Sequence, residues 1–121
     1  MAAPGSCSAS IDLQRGLLAP SLFSSGLKHG NDPEVKPLWQ DLYAADADLI
    51  VNGNDHDYER FAPQEPDGKL DTARGIREFM VGSGGKNSHR SFGAPKPNSE
   101  VRNTDTFGVL KLTLRSKSYD W

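Results

Sequence analysis

The sequence predicts an α/β fold in one modest domain. The chain has 121 residues, of which only 36% are apolar, and it contains 12 glycines and 8 prolines. This length suits a single domain, and the composition favours few regular elements joined by long, turn-rich connections. The apolar residues are concentrated in one stretch with helical spacing and three short stretches typical of strands. We therefore expect one main helix and a small, mostly antiparallel sheet.

The predicted helix begins at Asp32, an N-cap residue that precedes Pro33 at the first helical position and Glu34 in the first turn. Apolar side chains then recur at helical spacing and predict one buried stripe, with Trp39 in the core. The stripe consists of Val35, Leu38, Trp39, Leu42 and Tyr43. We expect the helix to end near Ala45 or Asp46.

Three segments predict strands: residues 48–52, 76–81 and 107–114. The first is a β-prone run bounded by Gly53, the second ends at a glycine-rich turn over 82–85, and the third alternates between two faces. Residues 118–121 are typical of a hairpin partner for the third strand, so the end at Trp121 suggests a chain cut short. Between the strands we expect polar loops over 53–75 and 86–106, and an irregular segment over 1–15.

Charge and composition exclude several classes of function. Fourteen basic and 16 acidic residues give a formal charge of -2, which provides no field to attract nucleic acid or an anionic membrane. Cys7 is the single cysteine, so an internal disulfide and a cysteine-based zinc site are excluded. No apolar run approaches the ~20 residues of a membrane span, and residues 1–10 lack the features of a secretory signal.

The most specific feature is the segment Gly53-Asn54-Asp55-His56-Asp57-Tyr58-Glu59-Arg60-Phe61, directly after a predicted strand. It resembles the last metal-binding motif of the calcineurin-like metallophosphoesterases, in their purple-acid-phosphatase-like bacterial branch. That motif reads Gly-His-x-His and continues into a Tyr-Glu-Arg-like stretch. Segments 22–30, 37–39, 76–85 and 107–121 are similar to the same branch in the same order. The resemblance implies the C-terminal half of a two-sheet sandwich, with residues 16–121 as a partial domain of this family.

The resemblance also implies a chemistry. In the family, two divalent ions (Zn, Fe or Mn) lie about 3.5 to 4 Å apart and activate a hydroxide that hydrolyses a phosphomonoester. His56 and Asn54 occupy metal-ligand positions of the last motif, with Asn54 standing where the family has its first histidine. His29 corresponds to a histidine that protonates the leaving oxygen, a role that suits an imidazole with a pKa near ~6.5.

The ligand set departs from the family pattern. The chain has no Asp-x-His and no Gly-Asn-His, and Leu-Ala-Pro-Ser at 18–21 replaces the penultimate histidine. The amide oxygen of Asn54 is a weaker ligand for zinc or iron than an imidazole, and a metal site typically takes three or four protein ligands per ion. We therefore expect that the dinuclear centre is not retained, and that this truncated relative is inactive. The alternatives are a small non-catalytic cation- or protein-binding domain and a hydrolase whose metal centre is rebuilt by dimerisation or by unrecognised ligands.

Each candidate also has a structural interpretation, which we favour. His56 and His29 are ordinary loop histidines in that interpretation, and the glycines at 82–85 form a turn rather than an anion-binding nest. Asp55, Asp57 and Glu59 form a solvated loop face rather than a loose site for a hard cation such as calcium. Arg60 is expected to pair with an acidic neighbour and shape the loop.

The expected partners follow from the half-sandwich. A sheet without its partner half exposes an apolar face and open edges, which predicts homo-oligomers through that sheet. A phosphate ester is the expected substrate only if the chain is active, and nucleic acid and membranes are not expected partners. Relatives are commonly exported, but this sequence carries no export signal, so the compartment stays open.

Overall fold

A computed structural model describes residues 5–6, 20–87 and 91–121, and within them the chain is α/β. The elements are β1 (Gly5–Ser6), a 3₁₀ turn (Pro33–Val35), α1 (Lys36–Ala44), β2 (Leu49–Asn52), β3 (Tyr58–Phe61), β4 (Arg77–Val81), β5 (Ser99–Asn103), β6 (Thr113–Leu114) and β7 (Ser118–Asp120). The helical residues in this part of the chain include no segment with the length and apolar character of a membrane span.

The strands form two sheets. A mixed sheet has the order β2-β4-β3-β5, in which β2 and β4 are parallel and the other neighbours are antiparallel. A smaller antiparallel sheet has the order β1-β7-β6. The pairing of β6 with β7 confirms the hairpin that the sequence predicted near the chain's end. β1 falls within the segment expected to be irregular, and the rest of residues 1–19 lies outside the described residues.

The helix starts where the sequence predicted. Asp32 is the N-cap, and its Oδ1 accepts the backbone N–H of Glu34 at 3.0 Å. Pro33 opens the 3₁₀ turn that continues into α1, and α1 ends at Ala44, one residue before the predicted end. Trp39 is 1% exposed, which confirms it as a core residue, whereas Leu38 is exposed. The buried stripe is therefore narrower than predicted.

One face of the mixed sheet carries the main core. Leu22, Trp39, Ile50 and Ile76 form a buried cluster, and the ring of Phe23 meets Trp39 edge-on with centroids 5.2 Å apart. These apolar contacts hold α1 and the preceding loop, residues 20–31, against the sheet. We call residues 20–31 the first loop.

The opposite face of the mixed sheet meets the end of the chain. Phe79 packs against Trp121 with ring centroids 5.6 Å apart. The guanidinium groups of Arg60 and Arg77 lie 5.3 and 4.9 Å from the Trp121 ring, and both bond Glu100, at 3.0 and 2.6 Å. The predicted pairing of Arg60 with an acidic neighbour is thus confirmed.

The central strand β4 is covered on both sides. Phe79 and Met80 are consecutive, so their side chains point to opposite faces of the sheet, and both are fully buried. The expectation of a bare apolar sheet face is therefore wrong for this strand, because the first loop and α1 cover one side while residues 119–121 cover the other.

Three predicted segments differ from the structure. β3 lies inside the loop predicted over 53–75, and β5 lies inside the loop predicted over 86–106. The strand predicted over 107–114 is reduced to Thr113–Leu114, and Phe107 and Val109 are 51% and 91% exposed. β5 is an edge strand with mostly exposed residues, so its sequence shows no apolar alternation.

Candidate functional site

The candidate site lies at the carboxyl ends of the parallel strands β2 and β4. β2 leads into residues 53–57, which we call the His56 loop, and β4 leads into the turn at 82–85. The two segments touch, since the N–H of Gly82 donates to the carbonyl oxygen of Asp57 at 2.9 Å. A Cβ atom at Gly82 would overlap the carbonyl group of Asp55, so the close approach of these two loops requires glycine here.

Asp55 joins the His56 loop to the first loop. Its carboxylate is fully buried and accepts the Ser24 hydroxyl at 2.6 Å and the backbone N–H groups of His29 and Gly30, each at 3.1 Å. The carboxylate also lies directly against Gly26, where a Cβ would overlap it. A buried carboxylate that accepts several hydrogen bonds is a strong structural link, because its bonds are charge-assisted.

Glu59 makes a second link of the same kind. Its side chain is fully buried, one oxygen accepts the backbone N–H of Ser25 at 2.7 Å, and the other accepts the hydroxyl of Ser99 at 2.6 Å. Glu59 therefore connects β3 to the first loop and to β5. The side chains of Asp55 and Glu59 thus point into the protein, and so does that of Asp57, which lies between them in sequence.

The predicted solvated face of Asp55, Asp57 and Glu59 is wrong, since all three residues are fully buried. Every second residue from 55 to 61 is buried, which is the alternation of an extended chain with one inward face. The sequence pattern hides this face, because three of the four inward residues are acidic and only Phe61 is apolar. The oxygens of Asp55 and Glu59 are occupied by hydrogen-bond donors of the fold, which also weakens the interpretation of this cluster as a cation site.

The sequence reasoning missed a further buried acid, Glu78 on β4. Asn52 on β2 donates its Nδ2 hydrogen to Glu78 Oε1 at 2.9 Å, and both side chains are buried. Burial raises the pKa of Glu78 well above the ordinary glutamate value, and repulsion from Glu59 adds to this, while the backbone N–H of Phe23 opposes it. The signal in the sequence was a glutamate directly before the apolar run Phe79-Met80-Val81 of this strand.

The three sequence-predicted site residues lie on the two loops that Asp55 connects. Asn54 and His56 flank Asp55 in the His56 loop and are half-buried. His29 is exposed on the first loop, and its backbone N–H is held by the Asp55 carboxylate. All three residues therefore lie beside Asp55, His29 through a hydrogen bond and Asn54 and His56 as neighbours in sequence, and the sequence interpretation placed this buried side chain in solvent.

The donor set does not fit a dinuclear metal centre. Among residues 20–87 and 91–121, no group of three or more His, Cys, Asp or Glu side chains is arranged to hold a metal ion. Two acids, Asp55 and Asp57, flank His56 in sequence. The Asp55 oxygens bond the Ser24 hydroxyl and the backbone N–H groups of His29 and Gly30. Each ion of such a centre needs about three or four protein ligands, so we derive no reaction step that passes through metal ions.

A shallow groove adjoins the His56 loop. It has a volume of about 220 Å³ and is lined by Tyr58, Ser83, Asn103, Thr106, Gly108 and Val109. The Ser83 hydroxyl, in the glycine-rich turn, bonds the carbonyl oxygen of Gly108 at 3.3 Å, and the N–H of Gly108 bonds the carbonyl oxygen of Ser83 at 2.9 Å. These bonds use Ser83 to fix the following segment, which favours the structural interpretation of this turn.

Comparison of the chain with models of known protein families, with curated proteins and with solved structures gives no match. The function of the chain is therefore inferred from its residues and their geometry.

Proposed function

We propose that this chain is a catalytically silent domain that resembles the calcineurin-like metallophosphoesterases and uses the loop of their last metal-binding motif as a structural connector. The observation that carries the proposal is the Asp55 carboxylate, which binds the first loop to the His56 loop through Ser24, His29 and Gly30. In this role the loop is held by hydrogen bonds within the protein.

The chemistry of the remaining donors supports the absence of hydrolysis. His56 supplies one imidazole and Asn54 one neutral amide oxygen, and these two ligands do not hold a pair of divalent ions against water. His29 has the chemistry of a general acid, but protonation of a leaving oxygen contributes to rate only beside an activated nucleophile. Among the described residues, no group of three or more His, Cys, Asp or Glu side chains is arranged to hold a metal ion that would activate one.

Turnover of a chromogenic phosphomonoester, with zinc or manganese added, tests this proposal. We expect no hydrolysis by the full chain beyond that of the His56→Ala variant. His89→Ala is a matched histidine control, because no role is assigned to that position. Hydrolysis that is lost in His56→Ala and kept in His89→Ala would overturn the proposal and favour a hydrolase rebuilt by dimerisation.

A protein-binding role is the second candidate, and exposed apolar side chains favour it. Phe107 and Val109 are 51% and 91% exposed, and Val101 lies exposed on the edge strand β5. Edge strands and exposed apolar residues are typical of association surfaces. Sedimentation velocity over a range of concentrations tests for self-association; dimers that dissociate in Val109→Ser, but not in the control Leu27→Ser, would support this candidate.

A further inference from the structure

The buried pair of Glu78 and Asn52 is incompletely hydrogen-bonded. Asn52 Nδ2 donates to Glu78 Oε1 at 2.9 Å. The other oxygen of each group, Glu78 Oε2 and Asn52 Oδ1, is buried and has no hydrogen-bond partner. A buried polar atom without a partner destabilises the folded state, so two such atoms on one bonded pair require an explanation.

The two unpartnered atoms, Glu78 Oε2 and Asn52 Oδ1, are both acceptors if Glu78 is ionised. A carboxylate has no hydrogen to donate, and the oxygen of an amide accepts only. A single proton on Oε2 changes this, because it converts that oxygen into a donor for Asn52 Oδ1. The same proton also removes an uncompensated charge from the interior of the protein.

We propose that Glu78 keeps its proton in the folded protein at neutral pH and donates it to Asn52 Oδ1, so that two hydrogen bonds join the carboxyl group to the amide. The bond from Asn52 Nδ2 to Oε1 already fixes one half of this pair. The pair ties β2 to β4 just before the His56 loop and the glycine-rich turn begin.

The surroundings of Glu78 favour the neutral form. Glu78 lies opposite Ile50 in the parallel register of β2 and β4, and its side chain is fully buried. On β3, Glu59 adds a repulsive charge, while the first loop contributes the backbone N–H of Phe23. The residue of α1 that is buried in the core is Trp39, which carries no charge. Among the described residues, no cationic side chain of these elements contributes to the pKa of Glu78.

The proposal makes stability depend on pH with a definite sign. The unfolded chain releases the Glu78 proton above the ordinary glutamate value of 4.5, whereas the folded chain keeps it. The folded state then binds more protons than the unfolded state, so stability falls as pH rises. In the pH range where the unfolded chain has lost this proton and the folded chain keeps it, Glu78 lowers the equilibrium constant for folding by about tenfold per pH unit.

Urea unfolding of the full chain and of Glu78→Gln between pH 5 and 8 tests the proposal. The glutamine amide reproduces the donor and acceptor of the protonated acid but does not titrate. We expect the folding constant of Glu78→Gln to gain on that of the wild type by up to about tenfold per pH unit. Glu34→Gln, an exposed glutamate, is the matched control and should show no such trend. A ratio between the folding constants of Glu78→Gln and the wild type that is the same at every pH would overturn the proposal.

A second measurement needs no variant, and so it holds even if Glu78→Gln does not fold. The chemical shift of the Glu78 side-chain carboxyl carbon is followed by NMR in carbon-13-labelled wild-type protein. We expect the shift of a protonated carboxyl group through pH 7. A titration at the ordinary glutamate pH, or the shift of a carboxylate throughout, would refute the assignment of the proton.

Discussion

Replacement of Asp55 by alanine is the sharpest test of the structural role of the His56 loop. The change removes three hydrogen bonds: from Ser24 Oγ at 2.6 Å, and from the backbone N–H groups of His29 and Gly30 at 3.1 Å each. The Ser24 hydroxyl is fully buried and loses a charge-assisted bond, whereas the two N–H groups lie on a partly exposed loop and can bond water.

The magnitude follows from these three bonds. The buried hydroxyl accounts for about 1.5 to 3 kcal/mol and each N–H group for about 0.5 to 1 kcal/mol, so Asp55→Ala should lose about 2.5 to 5 kcal/mol of unfolding free energy. That is a large part of the ~5 to 15 kcal/mol typical of a domain. With a slope of about 1 to 3 kcal/mol per molar urea, the unfolding midpoint should fall by about 2 M or unfolding should be complete without urea.

Urea unfolding followed by tryptophan fluorescence measures this loss, since Trp39 lies in the core. Asp67→Ala is the matched control: its Oδ1 accepts the Lys69 N–H at 3.3 Å on the surface, and we expect a change within about 0.5 kcal/mol. Asp55→Asn keeps one acceptor oxygen and should fall between the two. An Asp55→Ala midpoint equal to that of Asp67→Ala would refute the role assigned to Asp55.

Two further predictions concern the loops. Gly82→Ala should prevent stable folding, because its Cβ would overlap the Asp55 carbonyl group. The control Gly84→Ala should fold, because a Cβ there meets no atom within 4 Å. Circular dichroism measures the folding of both variants, and equal stability would contradict the close approach of the two loops. The N–H of Arg74 and the Tyr43 hydroxyl lower the pKa of Asp71, so its contribution to stability is present above pH 3.8 and lost as pH falls through the lowered pKa. The stability deficit of Asp71→Asn should therefore shrink in acid, and a deficit independent of pH would contradict this.

The helix and the central strand were predictable because their local signals agree with their environment. Asp32 caps the helix, Pro33 opens it and Trp39 is buried, as the spacing predicted. β4 lies at the core of the mixed sheet and reads as a largely apolar run, which is typical of a strand covered on both faces.

The candidate site was predictable only in part. The position of Asn54 and His56 after a strand was predicted, but the inward orientation of the intervening acids was not. Acidic residues are rarely buried without partners, and the partners of Asp55 and Glu59 lie about 30 residues earlier in the chain or on β5. Hydrogen bonds between residues so far apart in sequence cannot be predicted from the local sequence pattern.

The strand predicted over 107–114 forms only at Thr113–Leu114, and its shortening has a different cause. Residues 107–114 alternate between apolar and other side chains in sequence, but only Thr113–Leu114 pair with a neighbouring strand, β7. A strand is stabilised by cross-strand partners more than by its own propensity. β3 shows the converse case, since pairing with β4 and β5 makes a strand of a largely polar sequence.

The metal content of the purified full chain tests the central claim most directly. Elemental analysis, combined with thermal unfolding before and after treatment with a chelator, reports whether the His56 loop depends on bound ions. Because hydrogen bonds to Asp55 hold the loop, we predict well under one zinc, iron or manganese ion per chain and an unchanged unfolding temperature. Two ions per chain, removed by the chelator together with a loss of stability, would contradict the account.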